Sequence, residues 1–136
     1  MKKSLKVQDY MTEMPHTIGE DMTLTVAMER MREFHVRHLP VLYGGKIRGV
    51  ISDRDIRLAL SVYPAAKDLK VGDVMTEDPY LVEPTTDMER VAYEMATHKY
   101  GCAIVSDKGA AVGIFTMVDA ARLLAELLEV QPDFLK

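Results

Sequence analysis

The chain has 136 residues, 48% of them hydrophobic, a single cysteine and a formal net charge of −4. That length suits one compact domain or two small fused halves, burying roughly two thirds of the surface an unfolded chain exposes. The negative charge argues against an electrostatic grip on nucleic acid or an anionic membrane, and the lone Cys102 excludes an internal disulfide and fits a reducing, cytoplasmic compartment.

In chain order, the start MKKSLKVQDY carries lysines with no apolar run behind them and does not read as a secretory signal; no apolar run approaches the roughly 18 to 20 residues of a spanning helix. After Pro15, HTI reads as a short strand, and Leu24, Ala27, Met28 and Met31 take the spacing of an amphipathic helix. HLPVLYGGKIRGVIS (38–52) sets two apolar runs around Gly44 and Gly45, the mark of a hairpin. DIRLAL reads as a helix, stopped by Pro64 within the connecting stretch SVYPAAKDLK (61–70).

The order then recurs. YLV reads as a strand, Met88, Val91, Ala92 and Met95 mark a helix, and CAIVSDKGAAVGIFT (102–116) forms a hairpin around SDKG. DAARLLAELLEV is a helix with Ala121, Leu124, Ala125 and Leu128 predicted on one face. Each half is therefore β-α-β-β-α. Met11, Met28, Met31, Met75, Met88 and Met95 occupy periodic apolar positions and read as core filling.

An offset of 64 aligns KSLKVQDYMTEMP (3–15) with KDLKVGDVMTEDP (67–79), matching Lys3, Leu5, Lys6, Val7, Asp9, Met11, Thr12, Glu13 and Pro15. The same offset carries Gly49, Ser52 and Asp55 of GVISDRD onto Gly113, Thr116 and Asp119 of GIFTMVD. The chain is an internal duplication, with a first repeat over 1–63 and a second over 64–136. Two such repeats form a pseudo-symmetric pair, since a solenoid needs three or more. The expected fold is α+β, with the two halves packed through their sheets.

Ser-x-x-Asp or Thr-x-x-Asp before an apolar helix is the pattern of a capping box. Capping accounts for the hydroxyl and the acid, but not for the glycine three residues earlier or for the recurrence of the phrase. A strand glycine often marks close approach of another group. An aspartate in the first helical turn beside a hydroxyl also suits the two adjacent hydroxyls of a ribose diol, and the exposed amides of a helix start favour a phosphate. The first repeat adds the cations Arg37, His38 and Arg54; the second has Gly101, Cys102 and Val118 in those places, with His98 and Lys99 close by in sequence. No P-loop, GxGxxG, GxSxG or HExxH is present, so no enzyme is indicated. His35 and His38 straddle the expected helix-to-strand change, which argues against a metal pair, and His98 is expected at a solvated helix end.

The openings DYMTEMP and DVMTEDP, the paired Gly-x-x-Ser/Thr-x-x-Asp phrases and the duplicated β-α-β-β-α pattern together resemble a tandem cystathionine-β-synthase (CBS) domain pair, or Bateman module, over essentially the whole chain. The resemblance implies a standalone, non-catalytic regulatory module that needs no cofactor. It implies binding of AMP, ADP, ATP or S-adenosylmethionine in clefts between the repeats, action in trans on a partner protein, and a homodimer formed through helices such as ARLLAELLEV. Carried over by position, it implies ribose contacts from Asp55, Asp119, Ser52 and Thr116 and phosphate contacts from Arg37, His38 and Arg54. The base pocket falls to Pro15, His16, Pro79 and Tyr80. The second repeat departs from the pattern in its missing cations, which leaves it to an uncharged adenosyl group or to no ligand. The alternative function is a ligand-free dimerisation scaffold with no nucleotide binding.

Overall fold

The computed structural model describes residues 4–130, with Val130 as backbone only. Lys3, the first residue of the repeated opening, lies outside them. Among the described residues the fold is α+β, with two four-stranded sheets and five α-helices. The elements are β1 (Thr12–Glu13), β2 (Ile18–Gly19), α1 (Leu24–Phe34), β3 (His38–Tyr43), β4 (Lys46–Ser52), α2 (Asp53–Val62), α3 (Val71–Val74), β5 (Thr76–Glu77), β6 (Leu81–Val82), α4 (Met88–His98), β7 (Cys102–Asp107), β8 (Ala110–Thr116) and α5 (Met117–Val130).

The duplication extends to backbone conformation. Left-handed residues occur in matched pairs: Met14 and Asp78 in the openings, His35 and Lys99 after α1 and α4, Gly44 and Lys108, and Gly45 and Gly109 in the hairpin turns. Two successive positive φ angles make turns whose twist matches that of the strands they join, which is why both hairpins close tightly. His35 and Lys99 end their helices in the αL conformation, with the cap amide bonded to the carbonyl of Met31 and of Met95.

The compact units divide the chain differently from the sequence repeats. One unit is Pro15–Pro79 with Lys108–Ala111; the other joins the segment ending at Met14 to Tyr80–Asp107 and to the segment beginning at Val112. Each opening is thus built into the sheet of the other repeat. In one sheet the order is β2-β3-β4-β5, with β5 antiparallel to β4 at Gly49↔Glu77; in the other it is β1-β8-β7-β6, with β1 antiparallel to β8 at Glu13↔Gly113.

Each unit has its own core. In the first, Leu24 and Ala27 of α1 meet Leu39, Val41 and Ile51 of the hairpin and Val71 of α3, all fully buried. In the second, Val7 of the opening joins Val91, Val105 and Phe115, each 0% exposed. Each such Val, Leu, Ile or Phe side chain contributes about 1.5–3 kcal/mol when removed from water. Of the predicted periodic residues, Leu24, Ala27, Met31, Met88, Val91 and Met95 are buried as expected, Met28 is half-buried and Ala92 is exposed. Helix α5 differs from expectation: Ala120 and Leu123 pack on the core, while Ala121, Leu124 and Ala125 are exposed. Its charged residues Asp119, Arg122, Glu126 and Glu129 share one stripe, at i, i+3, i+7 and i+10, but the buried face at Ala120 and Leu123 lies beside that stripe and not opposite it, where Leu124 stays exposed.

Candidate functional site

The phrase GVISDRD closes β4 and opens α2. Ser52 is the N-cap: Asp55 N–H donates to Ser52 Oγ at 3.0 Å, and Ser52 N–H donates to Asp55 Oδ2 at 3.0 Å. This is a reciprocal capping box, each side chain satisfying an orphan amide of the first turn. The phrase GIFTMVD does the same at the start of α5, with Thr116 N–H donating to Asp119 Oδ2 at 2.9 Å and Asp119 N–H to Thr116 Oγ1 at 3.3 Å.

The glycine of each phrase is explained by the opening strand beside it. A Cβ on Gly49 would lie 2.5 Å from the Thr76 carbonyl oxygen and 2.8 Å from Met75 Sδ; on Gly113 it would overlap Met11 Sδ and Cγ. Met11 and Met75 are matched residues of the two openings, so the same methionine packs over the same bare backbone in both units. Glycine, methionine, hydroxyl and acid are all parts of one structural joint.

Beyond the joint, the two phrases diverge. In the first repeat, His38 stands directly opposite Ser52 in the β3–β4 ladder, and β2 runs parallel to β3 with Ile18 beside Val41. Pro15 and His16, just ahead of β2, therefore enter at the same end of the sheet as His38, Ser52 and the start of α2. Arg37 and Arg54 are exposed, and the Arg37 carbonyl accepts the Asp53 N–H at 3.0 Å. His16 stacks on Phe34 at 3.7 Å between ring centroids. Burial pulls the His38 pKa below its ordinary value, against the opposing pull of the Asp53 and Asp55 carboxylates, with Arg37 adding to the depression. Asp55 is half-buried, and among the described residues no side chain donates to its carboxylate.

In the second repeat, Asp119 is buried at 6% exposure. Its carboxylate takes Thr116 Oγ1–H at 3.1 Å, Thr12 Oγ1–H at 3.3 Å and Arg122 Nη1–H at 3.3 Å besides the Thr116 amide. Cys102, in the place of His38, is buried and its thiol is pushed up to about 12, so it holds neither charge nor reactivity at neutral pH. Tyr80 stacks on Tyr100 at 4.9 Å, and Tyr100 on His98 at 5.2 Å; His98, half-exposed at the last position of α4, also pairs with Glu94. Pro79 ends one compact unit and Tyr80 begins a segment of the other.

Four of these residues were not singled out by sequence. Phe34 and Tyr100 gave no signal, because aromatic stacking depends on the fold. Thr12 was visible only as one matched letter of the openings, and Arg122 as a departure, since Leu58 holds its place in the first repeat.

A separate apolar groove of about 620 Å3 lies in the second unit, lined by Leu5, Met88, Phe115, Leu123, Leu124 and Leu127 among others; Asp119 is not one of its lining residues. Among the described residues no three His, Cys, Asp or Glu side chains gather where a metal could be held, and no helix is long and apolar enough to cross a membrane.

The family model for the CBS domain matches residues 7–62 and again residues 71–126. A CBS domain-containing protein of Dictyostelium discoideum is 30% identical over 138 aligned residues, covering 93% of this chain and 95% of its own. Among solved structures, the CBS domain pair of protein MJ0100, in complex with 5'-methylthioadenosine and S-adenosyl-L-methionine, superposes with a TM-score of 0.83 at 25% identity, covering 91% of this chain and 98% of that one. CBSX2, in complex with AMP, gives a TM-score of 0.76 at 27% identity, covering 90% and 97%. The doubled match over both repeats, each carrying the Gly-x-x-Ser/Thr-x-x-Asp joint, establishes that this chain belongs to the CBS domain family as a tandem pair.

Proposed function

We propose that the chain is a regulatory module that senses an adenosine-containing molecule, one of AMP, ADP, ATP or S-adenosylmethionine, and acts in trans on a partner protein without catalysis of its own. The observation that carries this reading is the gathering, at one end of one sheet, of an under-used carboxylate, a helix start, two arginines and a histidine that burial holds neutral. Asp55 offers Oδ1 to the ribose diol, with Ser52 beside it. Arg37, His38 and Arg54 are placed by the backbone around the α2 start, where the Ser52, Asp53 and Asp55 amides are already bonded, so the attraction for phosphate rests on the two guanidinium groups and on His38 once it is protonated. Pro15 and His16 supply the base-facing segment at that same end. The bound AMP and adenosyl compounds of the similar CBS pairs support this assignment.

A second reading, a ligand-free scaffold that dimerises through its helices, draws on the groove beside α5, where Leu124 remains 56% exposed. Isothermal titration calorimetry with the four compounds separates the two. The sensing reading expects saturable heat from at least one compound, and Asp55→Asn, which retains a side-chain oxygen for the Ser52 amide, weakens it about ten- to a hundredfold, or about 1.5–3 kcal/mol for a lost charge-assisted contact. Absence of heat and of any thermal shift with all four compounds favours the scaffold.

A further inference from the structure

The two acids of the doubled phrase differ in how many donors they already hold, and this difference deepens the nucleotide reading on which it rests. An ionised carboxylate has about four lone-pair sites. Asp119 has four donors on it: the Thr116 amide and hydroxyl on Oδ2, and the Thr12 hydroxyl and Arg122 guanidinium on Oδ1. Two of the four are hydroxyls, one on each oxygen, which is the pattern a vicinal diol would make. The Thr116 hydroxyl bridges, receiving the Asp119 amide while donating to its carboxylate, so its rotor is fixed from both sides.

Among the described residues, Asp55 has only the Ser52 amide. Leu58 stands where Arg122 stands and carries no donor. Thr76 matches Thr12, and its strand pairs with β4 at Val50, yet among the described residues its hydroxyl makes no bond to Asp55.

We propose that Thr12 and Arg122 are specificity-determining residues that close Asp119 to ligands, fastening β1 to the start of α5 and leaving Asp55 as the one diol acceptor of the chain. A ribose approaching Asp119 would have to displace two protein hydroxyls and a guanidinium from a buried carboxylate, whereas at Asp55 it displaces no side-chain donor.

The test uses the full chain, with adenosine and AMP as probes in calorimetry and thermal melting as a ligand-independent readout. Expected results are one AMP per chain, an affinity within about twofold of wild type for Asp119→Asn, and a melting temperature lowered by about 2–8 °C in that variant. Thr12→Val lowers the melting temperature in the wild-type background and has little further effect in Asp119→Asn, as required of two residues sharing one bond. Combining Thr12→Val with Arg122→Leu, the residue of the first repeat, raises the adenosine stoichiometry to two. The proposal is overturned by two AMP per chain in the wild type falling to one in Asp119→Asn, by additive melting effects of Thr12→Val and Asp119→Asn, or by a stoichiometry that stays at one in the double variant. A wild-type chain that binds neither probe removes the nucleotide reading, and the clamp then stands or falls on the melting cycle alone.

Discussion

His38 shows how one side chain is held between opposing demands. It faces Ser52 across the β3–β4 ladder, where burial disfavours its charged form while Asp53 and Asp55 favour it, and burial prevails. The folded state therefore binds a proton at His38 less readily than the unfolded chain, whose histidines titrate near 6.5. By linkage, this contribution to stability is fully present above pH 6.5 and is lost as pH falls through the lower folded value. A bound phosphate reverses the preference, because its negative charge favours the imidazolium. Nucleotide affinity of the wild type relative to His38→Gln is therefore expected to rise between pH 8 and pH 6, since the ratio cancels the titration of the phosphate itself. Calorimetry at several pH values measures it, and a flat ratio would remove His38 from the phosphate site. The sequence reading named His38 as a cation. It could not show that the residue rests neutral, because burial is decided by the Leu39, Val41 and Ile51 core beside it.

At the scale of elements, the joint between opening and hairpin explains the doubled phrase and differs between the units in a way that mutation can detect. At Gly113 the three atoms nearest an added Cβ all belong to the flexible Met11 side chain, whereas at Gly49 the nearest is the backbone carbonyl of Thr76. Both Gly→Ala replacements should destabilise by about 1–3 kcal/mol through overpacking. Met11→Ala should then recover much of the loss in Gly113→Ala, while Met75→Ala should leave Gly49→Ala unrepaired. Chemical denaturation of the two double variants checks this, and equal recovery in both would contradict the assigned contacts. The helices and hairpins behind the joint were legible in sequence because each has a period or a turn signal. Strands β1 and β5 were not, being two residues long and paired with partners remote in sequence. For the same reason Asp119 was found but its bond to Thr12, 107 residues away, was not. A glycine inside a strand predicts close approach at Gly49 and Gly113, yet only the fold identifies the methionines that approach them.

For the molecule as a whole, the exchange of openings determines which pieces of the chain can stand alone. A cut at the repeat boundary yields residues 1–63, which retain α1, the first hairpin and α2 but lose Ala66 and Val71, both essentially fully buried in that core. The loss of β5 also leaves β4 with an unpaired edge and an uncovered Gly49, the kind of exposed template that promotes aggregation. A cut that follows the main segment of the compact unit, residues 15–79, leaves out only Lys108–Ala111 and keeps that core and that edge together in one contiguous piece. Domains of about 65 residues have only a few kcal/mol of stability, and losing Val71 at about 1.5–3 kcal/mol and the Ala66 methyl at about 0.8 kcal/mol removes much of that margin. Residues 15–79 are therefore expected to unfold cooperatively and give a dispersed proton spectrum, while 1–63 is expected to be largely unfolded. The remaining half gives the reciprocal case: 64–136 lacks Val7, which is 0% exposed, and Met11 over Gly113. A peptide of residues 4–14 added to 80–136 should raise its helicity by supplying β1 and Val7. If 1–63 melts as cooperatively as 15–79, or the peptide has no effect, the openings are dispensable and the sequence repeats are themselves the folding units.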